Sequence, residues 1–350
     1  MSRRFEAAAV GTGISRTDSL VGSILGQALG DALGFVVEAQ PHGVADAYVT
    51  GWLRAGRAGE RSHPEFPFGQ YSDDTQLARE LLCSIRDAGR WDPRSFAERV
   101  AALFGQGRDV GSGPGTRTAA LRLLAGASWR ESGTPPPYAG NGSAMRAGPL
   151  GALLAHDPAT LRRAAREQSR ITHRDSRCAA GAVAVAGAAA LASRSGPIDR
   201  QELIAALSEW VAEEDETMAA ALSGLSQWGE LPPPAAAQRL HELRFDPDHL
   251  DHRLGISSFV VPSVLWSLYS VLHSPEDYWE TVCTAIGAGG DTDTMGAIAG
   301  AVSGARLGRG ALPPALVARL NDRGRWGAAE LTRLAHDCVQ CIGAVETQAE

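Results

Sequence analysis

Few stretches of this chain alternate apolar with polar residues as strands do. Alanine, leucine and arginine dominate instead. The runs at 97–104, 116–127 and 179–192 have the composition of helices. The pattern predicts an almost entirely helical, all-α protein. Ser19 reads as the N-cap of a first helix ending near Phe35. That helix carries Gly22, Gly26, Gly30 and Gly34 at four-residue spacing. Glycine weakens a helix, so the stripe predicts that another backbone approaches closely there. The spacing does not match a dinucleotide fingerprint, and no strand precedes it.

Proline and glycine mark loops at 51–70, 105–116, 133–143, 229–236 and 308–314, and a helix start at 232–238. None of these has the length or composition of a domain linker, and no repeat of 20 to 50 residues is present. The expected organisation is a flexible segment at 1–17 followed by one domain over 18–345.

Composition narrows the function classes. Of 350 residues, 44 % are hydrophobic, enough for a large core. The net charge of -7 excludes a generally basic nucleic-acid binder. Five scattered cysteines, an odd number, and no apolar signal core after the N-terminal Met-Ser-Arg-Arg point to a reducing, cytoplasmic setting. The alanine-rich stretch at 178–192 is too short to span a bilayer.

Two acidic clusters carry the chemistry. The first, Ser72-Asp73-Asp74-Thr75, enters a helix, where carboxylates also serve as caps. The second is Asp291-Thr292-Asp293-Thr294, after Gly287-Ala288-Gly289-Gly290 and before a run of small residues suited to close helix packing. Asp291 and Asp293 are two apart, so a non-helical turn lets them point the same way. Four unpaired carboxylates repel one another, and a pair of divalent cations resolves that. Hard oxygen ligands suit magnesium, manganese or calcium rather than zinc, and the twelve-residue calcium-loop spacing is absent. The glycine-rich loop Gly105–Thr116 runs into a helix and offers free backbone amides to a diphosphate. Asn141–Arg146 and Thr172-His173 are further ligand-loop candidates. His336, Cys338 and Cys341 share a helix face and read as packing, since zinc wants a fourth ligand.

Six motifs in order are GSILGQALGDALGFVVEA, YSDDTQLA, GSGPGTRTAAL, GNGSAMRAGPLG, THRDSRCAAGAV and GAGGDTDTMGAIAGAVSGA. Together they resemble the ADP-ribosylglycohydrolase family over roughly residues 18 to 310. The resemblance implies a single compact orthogonal helical bundle with a binuclear magnesium centre in a cleft; manganese is a substitute. It implies Ser72, Asp73, Asp74, Asp291, Asp293 and Thr294 as metal ligands, and Asp74 or Glu38 as catalytic base. It further implies Gly111, Ser112, Gly113, Gly115 and Thr116 on the diphosphate. Asn141, Gly142, Ser143 and Met145 would line the ribose and adenosine side, and His173 the distal ribose.

The implied reaction is cleavage of the N- or O-glycosidic bond between ADP-ribose and an acceptor, through an oxocarbenium-like transition state. Arginine of an ADP-ribosylated protein is the first acceptor in view, small-molecule substrates follow, and a monomer is expected. The alternative of the same fold is a catalytically silent binder of ADP-ribose or of a toxin. A different metal-dependent hydrolase, such as a phosphatase, is the third reading. A degenerate binder should have lost an aspartate, and all four are present.

Overall fold

The computed structural model describes residues 14–249 and 251–349. Among them are sixteen α-helices and no strand, only isolated bridges. In chain order these are α1 (Arg16–Gly34), α2 (His42–Tyr48), α3 (Asp73–Ala88), α4 (Pro93–Gly105), α5 (Pro114–Leu124) and α6 (Gly148–Leu153). Then follow α7 (Pro158–Thr172), α8 (Ser176–Ala192), α9 (Arg200–Ala212), α10 (Glu216–Trp228) and α11 (Pro233–Glu242). The chain closes with α12 (Val260–His273), α13 (Tyr278–Gly287), α14 (Thr292–Leu307), α15 (Pro314–Val317) and α16 (Ala328–Ala349).

Ser15, not Ser19, caps α1 by accepting from the Asp18 amide. Ser19 lies one turn inside, buried, and donates to the Ala305 carbonyl. Residues 1–13 of the expected lead-in lie outside the described residues. The span from Arg16 to Val37 is apolar and long enough to cross a membrane, yet 94 % of its most apolar 18-residue window is buried inside the protein. That burial makes it a core helix.

The glycine stripe finds its partner in α14. A Cβ on Gly22 would lie 2.2 Å from the Gly304 carbonyl oxygen, and one on Gly26 2.4 Å from that of Gly300. For Gly30 against Gly296 the distance is 2.0 Å, and for Gly34 against Thr292 it is 2.2 Å. The two helices run antiparallel with each glycine seated on a backbone carbonyl. Nothing larger than hydrogen fits at these positions, which is why the helix-propensity cost of four glycines is tolerated. Around this pair pack α3, α6, α13 and α16 on the α1 side and α8, α12 and α13 on the α14 side. Tyr278 of α13 locks the seam by donating to the Gly26 carbonyl, at 2.8 Å. At its far end Thr292 donates to the Gly34 carbonyl, also at 2.8 Å. The seam thus fixes the approach of the turn after α1, which carries Glu38, to the start of α14.

Candidate metal centre and substrate cleft

Six helices, α4, α7, α8, α9, α10 and α13, begin on an aspartate whose carboxylate accepts a backbone amide of the first turn. The two acidic clusters behave differently. At α3 the cap is Ser72, whose hydroxyl accepts from the Asp74 amide, leaving both aspartates of the first turn free of that duty. At α14 Asp291 occupies the N-cap position but makes no side-chain capping bond. The carboxylates that do not cap are those facing a cleft of about 500 Å³.

There Asp74 and Asp293, which line it, and the fully buried Asp31 bring carboxylate oxygens within 4.8 Å of one another, and so do Glu38, Asp291 and Asp293. Asp293 belongs to both triads. Asp31 comes from the middle of α1, Glu38 from just beyond its short 3-10 extension, Asp74 from the first turn of α3, and Asp291 and Asp293 from the start of α14. Asp31 also organises the start of α3: it accepts from the Ser72 amide (2.8 Å), the Thr75 amide (3.1 Å) and the Thr75 hydroxyl (2.6 Å).

Burial pushes the carboxyls of Asp73, Asp74 and Asp293 well above the ordinary carboxylate range, and neighbouring carboxylates add to the effect. Asp31 is pushed up to about 6 by burial, against the bonds from Thr75 and Ser72. Glu38 is pushed up to about 7 by burial, then by Asp291 and Asp31. Burial also raises Asp291, opposed by the bond from the Asn141 amide. Asp74 Oδ1 and Asp293 Oδ1 are buried without any hydrogen-bond partner. An ionised, buried, unpartnered oxygen is costly, and a hard divalent cation removes the cost. The donor set is all oxygen, so the residues present fit magnesium or manganese better than zinc.

Of the other residues singled out above, Asp73 lines the cleft outside both triads, its amide donating to the Val110 carbonyl at 2.7 Å. Ser72 is fully buried and donates to Asp74 Oδ2 at 2.7 Å, so its hydroxyl reaches the site through Asp74. Thr294 lines the cleft. Gly111, Gly113, Gly115 and Thr116 line the cleft too, and so do Asn141, Gly142, Met145 and His173. Close approach explains two glycines there. A Cβ on Gly115 would lie 2.4 Å from the Tyr138 ring, and one on Gly142 2.8 Å from both the His173 ring and the Thr116 hydroxyl.

Two expected substrate contacts face elsewhere. Ser112 donates to Asp109 and accepts from Arg117, and Ser143 is buried between Cys178 and Ser169. Cys338 donates to the Leu82 carbonyl, an ordinary packing contact.

His173 stacks on Tyr138 at 5.8 Å, and burial pushes its ring down to about 3, with Arg146 adding to the effect. It is therefore a neutral imidazole, a hydrogen-bonding group and not a charge. Arg146 is fully buried beneath the Asn141 loop, where it donates to the Gly142 carbonyl (2.8 Å), the Gln168 carbonyl (2.9 Å) and the Thr172 hydroxyl (2.7 Å). Burial lowers its guanidinium to about 9, while the Asp73 charge holds it up.

Asp31 and Arg146 escaped the reading of the sequence. The signal for Asp31 is a lone carboxylate on the apolar stripe of the first helix. For Arg146 it is an arginine between Met145 and Ala147 in a segment that is otherwise small or apolar.

A larger cavity, about 600 Å³, lies behind the segment carrying His249 and Ser257, which line both spaces. Among the described residues it holds no cluster of three ligating groups.

Comparison with known proteins gives the family. The profile of the ADP-ribosylglycohydrolase family matches residues 12–347. The chain is similar to the ADP-ribosylhydrolase ARH3 of Danio rerio, 30 % identical over 70 % of this chain and 71 % of that protein. It is also similar to the ADP-ribosyl-[dinitrogen reductase] glycohydrolase of Rhodospirillum rubrum, 26 % identical over 89 % and 92 %. A solved structure titled ADP-ribosylglycohydrolase-related protein complex superposes with a TM-score of 0.69 at 25 % identity, covering 93 % of this chain and 99 % of that one. The chain belongs to the ADP-ribosylglycohydrolase family, hydrolases of the glycosidic bond to ADP-ribose.

Proposed function

We propose that this enzyme releases ADP-ribose from the side chain of an ADP-ribosylated protein, with arginine the first acceptor, and that it requires two magnesium ions. The observation that carries the proposal is the pair of carboxylate triads sharing Asp293 on the wall of a cleft also lined by the Gly111–Thr116 loop. The relative named for dinitrogen reductase supports a protein acceptor. The five unpaired cysteines support a cytoplasmic setting.

Asp31, Asp74 and Asp293 would hold one cation and Asp291 and Asp293 the other, with Glu38 beside them. Bound there, the pair would supply Lewis acidity, orienting the ribose and lowering the pKa of a water. The chain's own groups do the rest. The Gly111–Thr116 backbone binds the diphosphate, giving binding energy remote from the reacting carbon. His173 and Asn141 orient the sugar side as neutral donors and acceptors. We assign Glu38 as the base, because it is half-buried on the cleft wall while Asp74 is buried and held by Ser72. Glu38 takes the proton of a water whose oxygen bonds to the anomeric carbon as the bond to the acceptor breaks. The acceptor leaves with the bonding electron pair and takes up one proton from solvent, and Glu38 returns the proton it took, so that one water is consumed in all.

The test is release of ADP-ribose from proteins carrying ADP-ribosylated arginine or serine and from ADP-ribosylated nucleic acid, with magnesium and with chelator. The expected result is magnesium-dependent release from the arginine adduct. Release that survives both chelation and Asp293→Asn overturns the metal assignment. Tight ADP-ribose binding with no turnover on any adduct favours a silent binder.

A further inference from the structure

The backbone entering the Gly111 loop is held from below by two residues outside the ligand sets. Gln76, fully buried one turn into α3, reaches that segment with both ends of its amide. Its Oε1 accepts from the Val110 amide at 3.0 Å, and its Nε2 donates to the Arg108 carbonyl at 3.0 Å. The other backbone group of Val110 is also taken: its carbonyl accepts from the Asp73 amide at 2.7 Å. The residue before Gly111 is thus bonded on both sides to the turn that carries Asp73 and Asp74.

A primary amide can sit either way round, and here a third residue fixes the choice. Gln76 Nε2 also donates to Asp322 Oδ1 at 2.9 Å. A flipped amide would turn its oxygen on the Asp322 carboxylate and its NH2 on the Val110 N–H. Asp322 is itself fixed: Oδ2 accepts from the buried Arg79 guanidinium at 2.7 Å, and Oδ1 also accepts from Gln70 Nε2 at 3.3 Å. The turn bearing Asp322 lies beyond the six motifs and is tied in by Asn321 N–H to the Gly69 carbonyl (2.8 Å) and Arg323 N–H to Gln70 Oε1 (2.8 Å). The exposed Arg323 guanidinium reaches the carbonyls of Gly107 and Asp109, on the same segment, at 3.3 and 3.5 Å.

We infer that Gln76, oriented by Asp322, is a positioning residue that fixes the Gly111 loop relative to the metal-bearing turn of α3, and so sets affinity for the diphosphate of the substrate. This rests on the reading of that loop as the diphosphate holder. Loop and carboxylates then share one rigid support, so the distance between diphosphate and reacting ribose is set before substrate arrives.

The test uses Gln76→Met, of similar length and unable to hydrogen bond, together with Asp322→Asn and the double variant. Four quantities are read on the full chain: ADP-ribose Kd by calorimetry in saturating magnesium, magnesium affinity, kcat and KM on the ADP-ribosylated arginine protein, and Tm. Gln76→Met should raise the ADP-ribose Kd and KM about tenfold, the effect of one or two lost hydrogen bonds. Its kcat and magnesium affinity should stay within about threefold of wild type, since no ligand has been touched. Asp322→Asn should act in the same direction, and the double variant should be no worse than Gln76→Met, because the two residues act through one contact. A fall in Tm with unchanged Kd and KM overturns the inference and leaves Gln76 as core packing. If Gln76→Met does not fold, Asp322→Asn decides on the same readouts. A wild-type protein that binds no ADP-ribose overturns the reading of the loop itself, whereas tight wild-type binding with unaltered variants overturns only the role of Gln76.

Discussion

Replacing Gly30 with alanine reverses the sign that helix propensity alone gives. In an unconstrained helix the change is worth about 0.8–1.0 kcal/mol in favour of alanine. At Gly30 the new methyl carbon would sit 2.0 Å from the Gly296 carbonyl oxygen and 2.6 Å from its carbon. Ordinary contact needs about 3.5 Å, so α1 and α14 must part locally by roughly 1.5 Å. Both obstacles are backbone, so no rotamer change relieves them, and the cost belongs at the upper end of the overpacking range of about 1–3 kcal/mol. A net loss of about 2 kcal/mol is expected. Gly224 supplies the internal control: it lies within α10, partly exposed, where an added methyl carbon would meet nothing within 4 Å. Gly224→Ala should gain about 0.5–1 kcal/mol. For a chain of this length, 1 kcal/mol corresponds to roughly 1.4 °C in Tm, so the two variants should differ by about 4 °C. Paired thermal and urea unfolding of the magnesium-loaded protein measures this. A Gly30→Ala protein as stable as wild type would refute the seam as the element that sets the α1–α14 distance.

Asp293→Asn should abolish binding at both metal positions, because Asp293 is shared by the two triads, and lower kcat/KM by at least about a thousandfold; calorimetric titration with magnesium that still shows two sites contradicts this. In chelator, stability should fall as pH rises from 5 to 8. Asp31 and Glu38 titrate at about 6 and about 7 in the fold and lower when unfolded, so their stabilising contribution is full at acid pH and lost as pH rises through those values. Saturating magnesium should flatten that slope in a Tm-versus-pH series. ADP-ribose affinity should show no inflection near pH 6.5 from His173, whose ring is already neutral; loss of such an inflection in His173→Gln would contradict its burial. Arg146→Met should free the Asn141 loop and weaken ADP-ribose binding by about tenfold or more, measured by calorimetry, since four backbone and side-chain acceptors lose their buried donor.

The helices were legible because alanine- and leucine-rich runs leave little other choice, and the four-residue glycine stripe correctly announced a close backbone. Which backbone it would meet was not legible. Gly296, Gly300 and Gly304 repeat the same spacing, but a match between two distant stripes needs the fold to set direction and register. The acidic clusters were visible, yet one cluster's aspartates looked like caps until Ser72 was seen to hold that post at α3. Asp31 was missed because a single carboxylate among small residues reads as an exposed position when the depth of the helix is unknown. Ser112 and Ser143 show the converse. Their place in a motif is a matter of sequence, but the direction of a hydroxyl is decided by neighbours such as Asp109 and Cys178.

The seam between α1 and α14 also governs when the site can exist. Its terminal bond joins residues 258 positions apart. Closing a loop of that length costs about 5 kcal/mol of chain entropy before the contact gives anything back. During synthesis at about 5–20 residues per second, α1 is made roughly 13 to 50 seconds before its partner emerges. Its glycine face has no carbonyl ladder to meet in that interval, and Asp31 and Glu38 have no Asp293 beside them. Neither half of the chain holds a complete carboxylate triad, so the metal centre is among the last features that synthesis completes.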